Sequence, residues 1–189
     1  MSRIEDAPPR RRTRTLTHRD RPYHTSAGCR PAAESVIAAL LADWRKRGAP
    51  IVHVRHISRT PGSPFWPGQA GVEFQPALQP LSHEHVVEKN VPDAFVHTGL
   101  ERWLHVRGID RIVIVGVSTN NSVESTARSG GNLGFKTYVI ADACFAFNGQ
   151  DHDGVARTAQ EVHAMALANL HGEYATVLTS EAWSQLSLP

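Results

Sequence analysis

The stretch RIVIVGVSTNNSVESTAR, residues 111–128, decides the fold class of this 189-residue chain. Its unbroken apolar run at residues 112–115 is typical of a strand that is buried on both faces, and Gly116 ends that run. Small polar residues and then a helical pattern follow, so the stretch predicts a strand, a tight turn and a helix. The turn brings the Ser122 hydroxyl near the first helical turn, where free N–H groups and the helix dipole favour negative charge. The turn is therefore a candidate reaction centre, although residues of these types are also the usual helix N-caps.

The residues after this turn extend the pattern from strand and helix to a second strand. The helix that begins at Val123 is expected to run to about Leu133 and to end at Gly134, a residue suited to the left-handed position after a helix. Residues 137–141 then predict a second strand, ended by the Asp142-Ala143-Cys144 sequence. This βαβ pattern predicts a single three-layer α/β/α domain with a mainly parallel sheet, and active chemistry at the carboxyl ends of its strands.

Two longer motifs carry a family resemblance. GVSTNNSVESTARSGGNLGFKTYVIADACFAF, residues 116–147, and EVHAMALANLHGEYATVLTSEAW, residues 161–183, resemble the isochorismatase-like hydrolase superfamily, a Rossmann-like fold. The cysteine hydrolases of that superfamily carry a glycine, a small polar turn, a nucleophilic cysteine, a TAR-like helix and a strand that ends in DAC or DA. The resemblance covers about residues 34 to 183, and the family cysteine falls on Ser122.

The segment HVVEKNVPDAF, residues 85–95, resembles the family motif whose lysine stands beside the nucleophile, so the resemblance places Lys89 next to Ser122. A fixed ammonium lowers the pKa of a neighbouring nucleophile and stabilises anionic intermediates, whereas a lysine outside such a motif is usually solvated. The resemblance also implies a cis peptide between Val117 and Ser118, with the N–H groups of Ser118 and Ser122 forming an oxyanion hole.

The first thirty residues depart from the family pattern. They hold eight arginines against three acidic residues, where the family has an apolar strand that ends in a general-base aspartate. Residues 13–17 would make a short, poor strand, and Asp20 is the carboxylate nearest the expected place of the base. The alternatives are a basic, flexible arm over residues 1–30, or an altered reading frame or start, before a hydrolase domain over residues 31–189.

A histidine pair follows the next predicted strand. Apolar spacing predicts a helix from Pro31 to Gly48 and then a strand at residues 50–54, with His53 near its end and His56 just after it. Nicotinamidases of the family that contain a metal hold an aspartate and several histidines here, but this chain has the two histidines without an aspartate. We therefore expect no metal and no other cofactor, with these histidines orienting the loop or touching substrate.

The connection at residues 58–80 is long, rich in Pro and Gly, and aromatic. A loop of this length in a compact domain is usually functional or disordered. The resemblance implies that Phe65 and Trp66, together with Asn121, line the substrate pocket or a subunit contact, whereas the alternative is packing on the core. We expect a homo-oligomer, a dimer or tetramer, formed through this loop and the penultimate helix.

Three further side chains are predicted to serve packing, a subunit contact or structure rather than catalysis. His163 and His171 are predicted to lie two turns apart on one helix face, which argues for packing or a subunit contact and against a shared ligand. Cys144 is predicted to be a structural thiol near the sheet edge.

Bulk properties narrow the class of protein. A hydrophobic fraction of 41% is enough for one globular α/β domain, and a formal net charge of +2 is too small to indicate nucleic-acid binding. Two cysteines do not make a disulfide framework, and no stretch is long enough to span a membrane. We expect a cytoplasmic protein that acts on a small molecule.

The reaction implied by the resemblance is hydrolysis of a C–N bond in an amide or carbamoyl compound, with an acyl-enzyme formed on residue 122. A serine is a poorer nucleophile than a thiolate, so Ser122 is either a working nucleophile, a substitution introduced to trap a complex, or the mark of a different chemistry. Two alternatives therefore stay open. One is a vinyl-ether-cleaving isochorismatase, and the other is a non-enzymatic binding or assembly protein.

Overall fold

The computed structural model describes residues 13–18, as backbone, and residues 31–186. Its strands are β1 (Thr13–His18), β2 (Ile51–His56), β3 (His85–Lys89), β4 (Arg111–Val117), β5 (Lys136–Phe145), β6 (Gly149–Gln150), β7 (Ala156–Arg157) and β8 (Thr176–Leu178). Its α-helices are α1 (Pro31–Lys46), α2 (Leu100–Val106), α3 (Glu124–Asn132), α4 (Ala159–Leu170) and α5 (Ser180–Gln185).

Six strands form one sheet in the order β3-β2-β1-β4-β5-β8, and every neighbouring pair in it is parallel. The strands β6 and β7 form a separate antiparallel hairpin. In the sheet, successive strands move outward from β1 to β3 and then return to the other side at β4. The point where the strand order reverses therefore lies between β1 and β4, and ligands of such sheets bind beyond the carboxyl ends of the strands at this point.

Helices cover both faces of the sheet, as the βαβ pattern predicts. Alternate residues of β4 point to opposite faces: Ile112 and Ile114 pack with α2, α3 and α4, whereas Val113 and Val115 pack with α1 and α5. Both sets are buried, which explains why this strand is a continuous apolar run in the sequence. The predicted three-layer α/β/α domain with a parallel sheet is confirmed.

The strand β1 lies in the middle of the sheet. It pairs with β2 on one side, where Leu16 is level with His53, and with β4 on the other, where Leu16 is level with Val115. The short strand expected at residues 13–17 is confirmed, and the sheet includes residues that precede the expected domain boundary at residue 31. Residues 1–12 and 19–30, with the predicted base Asp20, lie outside the described residues.

The strand β5 is longer than predicted. The Asp142-Ala143-Cys144 sequence does not end it, because the strand continues to Phe145 and Cys144 pairs with Gly116. The register between β4 and β5 shifts between Ile114 and Gly116, so β5 carries extra residues around Asp142. The Asp142 carboxylate accepts a hydrogen bond from the Ser180 N–H at 2.7 Å, which gives this acidic residue a place inside a strand. Cys144 is fully buried, and β4 is the strand that flanks it, since β8 pairs with β5 only at residues 138–140.

Helix boundaries agree with the sequence patterns except in the penultimate helix. The helix predicted from Pro31 is present, and Gly48 follows it with φ +60°. The helix α4 ends at Leu170, so His171 lies beyond it and does not share its face with His163. His171 Nδ1 instead accepts a hydrogen bond from the Val177 N–H at 3.1 Å. Within the described ranges, no helix is long and apolar enough to cross a membrane.

Candidate active site

The turn after β4 is held by its own backbone. Residues Thr119–Val123 form a single π-helical turn, a form that is common at functional sites. The Ser118 carbonyl accepts hydrogen bonds from the N–H groups of Asn121 and Val123, both at 3.2 Å. The peptide between Val117 and Ser118 is cis, as predicted. This turn places Ser122 two residues before the start of α3, with 3% of its surface exposed.

Lys89 lies next to Ser122 and comes from the half of the sheet that contains β2 and β3. It is the last residue of β3, it is 3% exposed, and its Nζ donates a hydrogen bond to Ser122 Oγ at 3.0 Å. The same ammonium group donates to the Pro92 carbonyl, which fixes its direction. The structure therefore brings together the two side chains that the family motifs single out, one from each half of the sheet.

The loop after Lys89 is tied to α3 by two further hydrogen bonds. The Ala94 N–H donates to Thr126 Oγ1 at 3.0 Å, and Ser129 Oγ donates to an Asp93 carboxylate oxygen. The other oxygen of Asp93 accepts from the Phe95 N–H at 2.8 Å. These contacts explain why the DAF residues accompany the lysine: they fix its loop to the helix that begins at the nucleophile position.

A buried histidine contacts the other side of the turn. His163 Nδ1 of α4 shares a hydrogen bond of 2.8 Å with Thr119 Oγ1, and the two residues are 8% and 0% exposed. Helical periodicity places His163 on a helix face and predicts packing or a subunit contact, without indicating its partner. Its position within a mostly apolar helix was the available signal that a buried polar partner was needed.

A groove of about 1170 Å³ runs from the turn along α4 to the β6–β7 hairpin. Ser118 and Asn121 line its end at the turn. Asn121 also donates from Nδ2 to Ser118 Oγ at 3.3 Å. Neither Phe65 nor Trp66 lines this groove: Phe65 is buried with its ring edge-on to His56, and Trp66 is 36% exposed.

The ionic groups along the groove are already paired. Glu124 Oε1 accepts from Arg128 Nη2 at 2.8 Å and from Asn169 Nδ2 at 3.4 Å. Farther along, Arg157 Nη2 donates to Asp151 Oδ2 at 2.6 Å, and this hydrogen bond, followed by that of the Val155 N–H, lowers the pKa of Asp151. The groove therefore presents neutralised charges and amide side chains rather than one strong electrostatic sign.

Two places in the described part of the chain hold clusters of histidine and carboxylate side chains, which are metal-ligating types. His53 Nε2 is 2.8 Å from Glu84 Oε2, and Arg45 Nε donates to Glu84 Oε1 at 2.8 Å, so this histidine takes part in an ionic cluster. Asp151, His152 and Asp153 have ligand atoms within 4.8 Å of one another on the exposed hairpin, but Asp151 is the acceptor for Arg157. Neither place has the closed ligand set of a structural zinc site.

A buried hydroxyl beside a buried lysine, at the carboxyl edge of a doubly wound parallel sheet, places the protein among three-layer α/β proteins with a candidate active site at that edge. The family model of the Isochorismatase domain matches residues 26–182. The chain therefore belongs to the isochorismatase family.

Similar proteins agree with this assignment. The chain is 37% identical over 149 residues to the uncharacterised isochorismatase family protein YrdC of Bacillus subtilis, a match that covers 79% of this chain and 80% of YrdC. An isochorismatase-family crystal structure from Chromobacterium violaceum superimposes with a TM-score of 0.86 at 40% identity, covering 97% of this chain and 96% of the other.

Two further relatives carry the names of enzymes. Streptothricin hydrolase of Streptomyces noursei is 35% identical over 104 residues, which are 55% of this chain and 37% of that protein. Nicotinamidase 3 of Arabidopsis thaliana is 26% identical over 147 residues, which are 71% of this chain and 74% of that protein.

Proposed function

We propose that this protein hydrolyses a C–N bond in an amide or carbamoyl group of a small molecule, with Ser122 as the nucleophile and Lys89 as its partner. The observation that carries the proposal is the hydrogen bond of 3.0 Å between Lys89 Nζ and Ser122 Oγ, both of them buried. Burial strengthens this contact, because a charge-assisted hydrogen bond gains energy where water is excluded. The names of the nicotinamidase and streptothricin hydrolase relatives support an amide as the bond that is cleaved.

In the first half of the reaction, Ser122 Oγ loses its proton to a general base and attacks the carbonyl carbon. The proposal keeps Asp20 as this base. The oxyanion that forms accepts hydrogen bonds from the N–H groups of Ser118 and Ser122, and Lys89 stabilises the negative charge beside them. The C–N bond then breaks, the nitrogen takes the proton from the base and leaves as an amine or ammonia, and the acyl group stays on Ser122.

In the second half, a water molecule gives a proton to the same carboxylate and attacks the ester carbon. The bond to Ser122 Oγ breaks, the oxygen regains a proton, and the carboxylic or carbamic acid leaves. The α3 end contributes here too, because the positive end of its dipole lies at the residue that carries the developing charge.

The proposal includes substrate contacts and assembly. We assign Asn121 to the substrate pocket, since it lines the groove beside the turn. Phe65 and Trp66 do not line that groove, and they are proposed as pocket residues on the family resemblance of the 58–80 loop. A homo-oligomer that uses the 58–80 loop and α4 is supported by Trp66, which is 36% exposed, and by Met165 of α4, which is 64% exposed. The low cysteine content is in keeping with a cytoplasmic enzyme.

A substrate panel tests the proposal. The purified protein is incubated with primary amides, carbamoyl compounds and a vinyl ether of the isochorismate type, and product formation is measured by mass spectrometry. We expect turnover of at least one amide or carbamoyl compound, a loss of roughly 10²- to 10⁴-fold in Lys89→Ala, and no loss in the control Lys136→Ala, whose side chain is exposed. Cleavage of the vinyl ether alone would assign the isochorismatase reaction instead. If neither the protein nor its Ser122→Cys variant turns over any compound, the binding or assembly alternative replaces the proposal.

A further inference from the structure

The hydrogen bond between His163 and Thr119 joins the reactive turn to α4, the helix that packs against it. Thr119 follows Ser118 and opens the π-helical turn that contains Ser122. Its hydroxyl meets His163 Nδ1 at 2.8 Å, with both groups buried. Because the hydroxyl rotor is fixed by this partner, the orientation of the turn depends on where α4 holds the imidazole.

The helix that carries His163 is itself rigid. Its first turn has a complete capping box, in which the Thr158 side chain accepts from the Glu161 N–H and Glu161 accepts from the Thr158 N–H. At its other end, Leu170 is fully buried in the main core. A histidine at its middle is therefore held from both sides, as expected of a residue that sets the position of another.

We infer that His163 is a positioning residue for the nucleophile turn: through Thr119 it sets the orientation of the Ser118 to Ser122 backbone toward the reacting carbonyl. The inference rests on the proposed function, because it names what orients that same site. It does not make His163 a catalytic residue, since the hydrogen bond on which the inference rests is with Thr119. The expected signature is a change in the reactivity of residue 122 that exceeds what the loss of stability alone explains.

The test uses the Ser122→Cys variant and measures the rate at which iodoacetamide labels residue 122, with buried Cys144 as the internal reference. His163→Ala in this background is expected to slow labelling of residue 122 by between about 10-fold and 100-fold, because a small displacement of a reacting group has effects of this size. His163→Asn is expected to recover most of the rate, since its amide places a hydrogen-bonding atom near the position of Nδ1. Thr119→Val, which removes the hydroxyl and keeps the shape, is expected to match His163→Ala, and the double variant is expected to be no slower than either single one.

The control is Leu167→Ala, on the same helix. Leu167 packs against the main core through an apolar side chain, so this change lowers stability without removing the hydrogen bond to Thr119, and the labelling rate is expected to stay intact. If Leu167→Ala slows labelling as much as His163→Ala at equal loss of stability, the role of His163 is packing and the inference is wrong. If His163→Ala does not fold, Thr119→Val decides alone, and a normal labelling rate in that variant overturns the inference. A Ser122→Cys thiol that is no faster than Cys144 before any change at residue 163 would instead overturn the proposed function.

Discussion

The backbone N–H of Ala94 donates to Thr126 Oγ1 at 3.0 Å, and this contact fixes the loop after Lys89 to the helix after Ser122. Both residues are fully buried. The hydrogen bond therefore helps to set the distance between Lys89 and Ser122, although neither of these residues takes part in it.

Thr126→Val tests this relationship. The change keeps the shape of the side chain but leaves the buried Ala94 N–H without its acceptor, which costs about 1–3 kcal/mol of unfolding free energy. We expect the urea midpoint to fall accordingly, and the labelling rate of a cysteine at residue 122 to fall with it. Thr126→Ser, which keeps the hydroxyl, serves as the control, and equal stability in the valine and serine variants would contradict the prediction.

The second prediction concerns the reactivity of residue 122. In Ser122→Cys, the ammonium of Lys89 and the amino end of α3 are expected to lower the pKa of the new thiol, so it should react with iodoacetamide at pH 7 faster than Cys29 or Cys144. Lys89→Ala raises that pKa and slows the reaction, whereas Lys136→Ala leaves it unchanged. Mass spectrometry of the labelled peptides reports each cysteine separately. If residue 122 is labelled no faster than the other cysteines, the prediction is wrong and Ser122 is interpreted as a helix cap.

The third prediction concerns acid stability. Burial raises the pKa of Glu84, but hydrogen bonds from Arg45, the Leu81 N–H and His53 outweigh it and lower that pKa to about 2. Because the folded pKa lies below the unfolded one, the stabilisation is present above about pH 4.5 and is lost as the pH falls toward 2. Its size is at most about 3 kcal/mol.

Glu84→Gln is therefore expected to lower the unfolding free energy at pH 7 and to flatten its decrease between about pH 4.5 and 2. Denaturant midpoints measured across this range check both effects. The matched control is Glu173→Gln, because Glu173 is exposed. A variant at Glu84 that keeps the full acid dependence of the parent would show that this carboxylate is not its source.

The fourth prediction concerns Gly131 in α3. Helix propensity alone favours alanine here by about 1 kcal/mol. A Cβ at this position would lie 2.6 Å from the Tyr174 carbonyl oxygen, a backbone atom that moves only with its chain, so overpacking costs about 1–3 kcal/mol and outweighs propensity. Thermal unfolding should show Gly131→Ala to be the less stable protein, whereas Gly149→Ala, with open space around it, stays close to the parent.

The fifth prediction is self-association through the 58–80 loop and α4. Static light scattering at micromolar concentration is expected to give a dimer or tetramer mass, and Trp66→Ser or Met165→Ser is expected to shift it toward the monomer. Val106→Ser, on a residue that is 74% exposed in α2, is the control for removing a surface apolar group. A monomer mass for the parent protein counts against the prediction.

The central strand and its turn were predictable because their signals are local. The run at residues 112–115 has no polar interruption, and the small polar residues after Gly116 leave few alternatives to a turn. The family motifs added the pairing of Lys89 with Ser122, which lie 33 positions apart and which no local pattern connects.

Other features were hidden because they depend on distant partners. Asp142 interrupts an apolar run, so a strand end was expected there, but its hydrogen bond with Ser180, 38 positions away, keeps it within β5. His163 shows only a helix face in the sequence, whereas its partner Thr119 lies 44 positions away. Periodicity indicates which side of an element is buried and says nothing about the group it meets there.

The central position of β1 has a consequence for any shortened form of this protein. Lys89 belongs to the half of the sheet formed by β2 and β3, and Ser122 follows β4 in the other half, with β1 paired to both β2 and β4. A chain that began at residue 31 would lack the strand that holds the two halves side by side. The contact between Lys89 and Ser122 therefore depends on residues 13–18, even though these residues supply neither side chain.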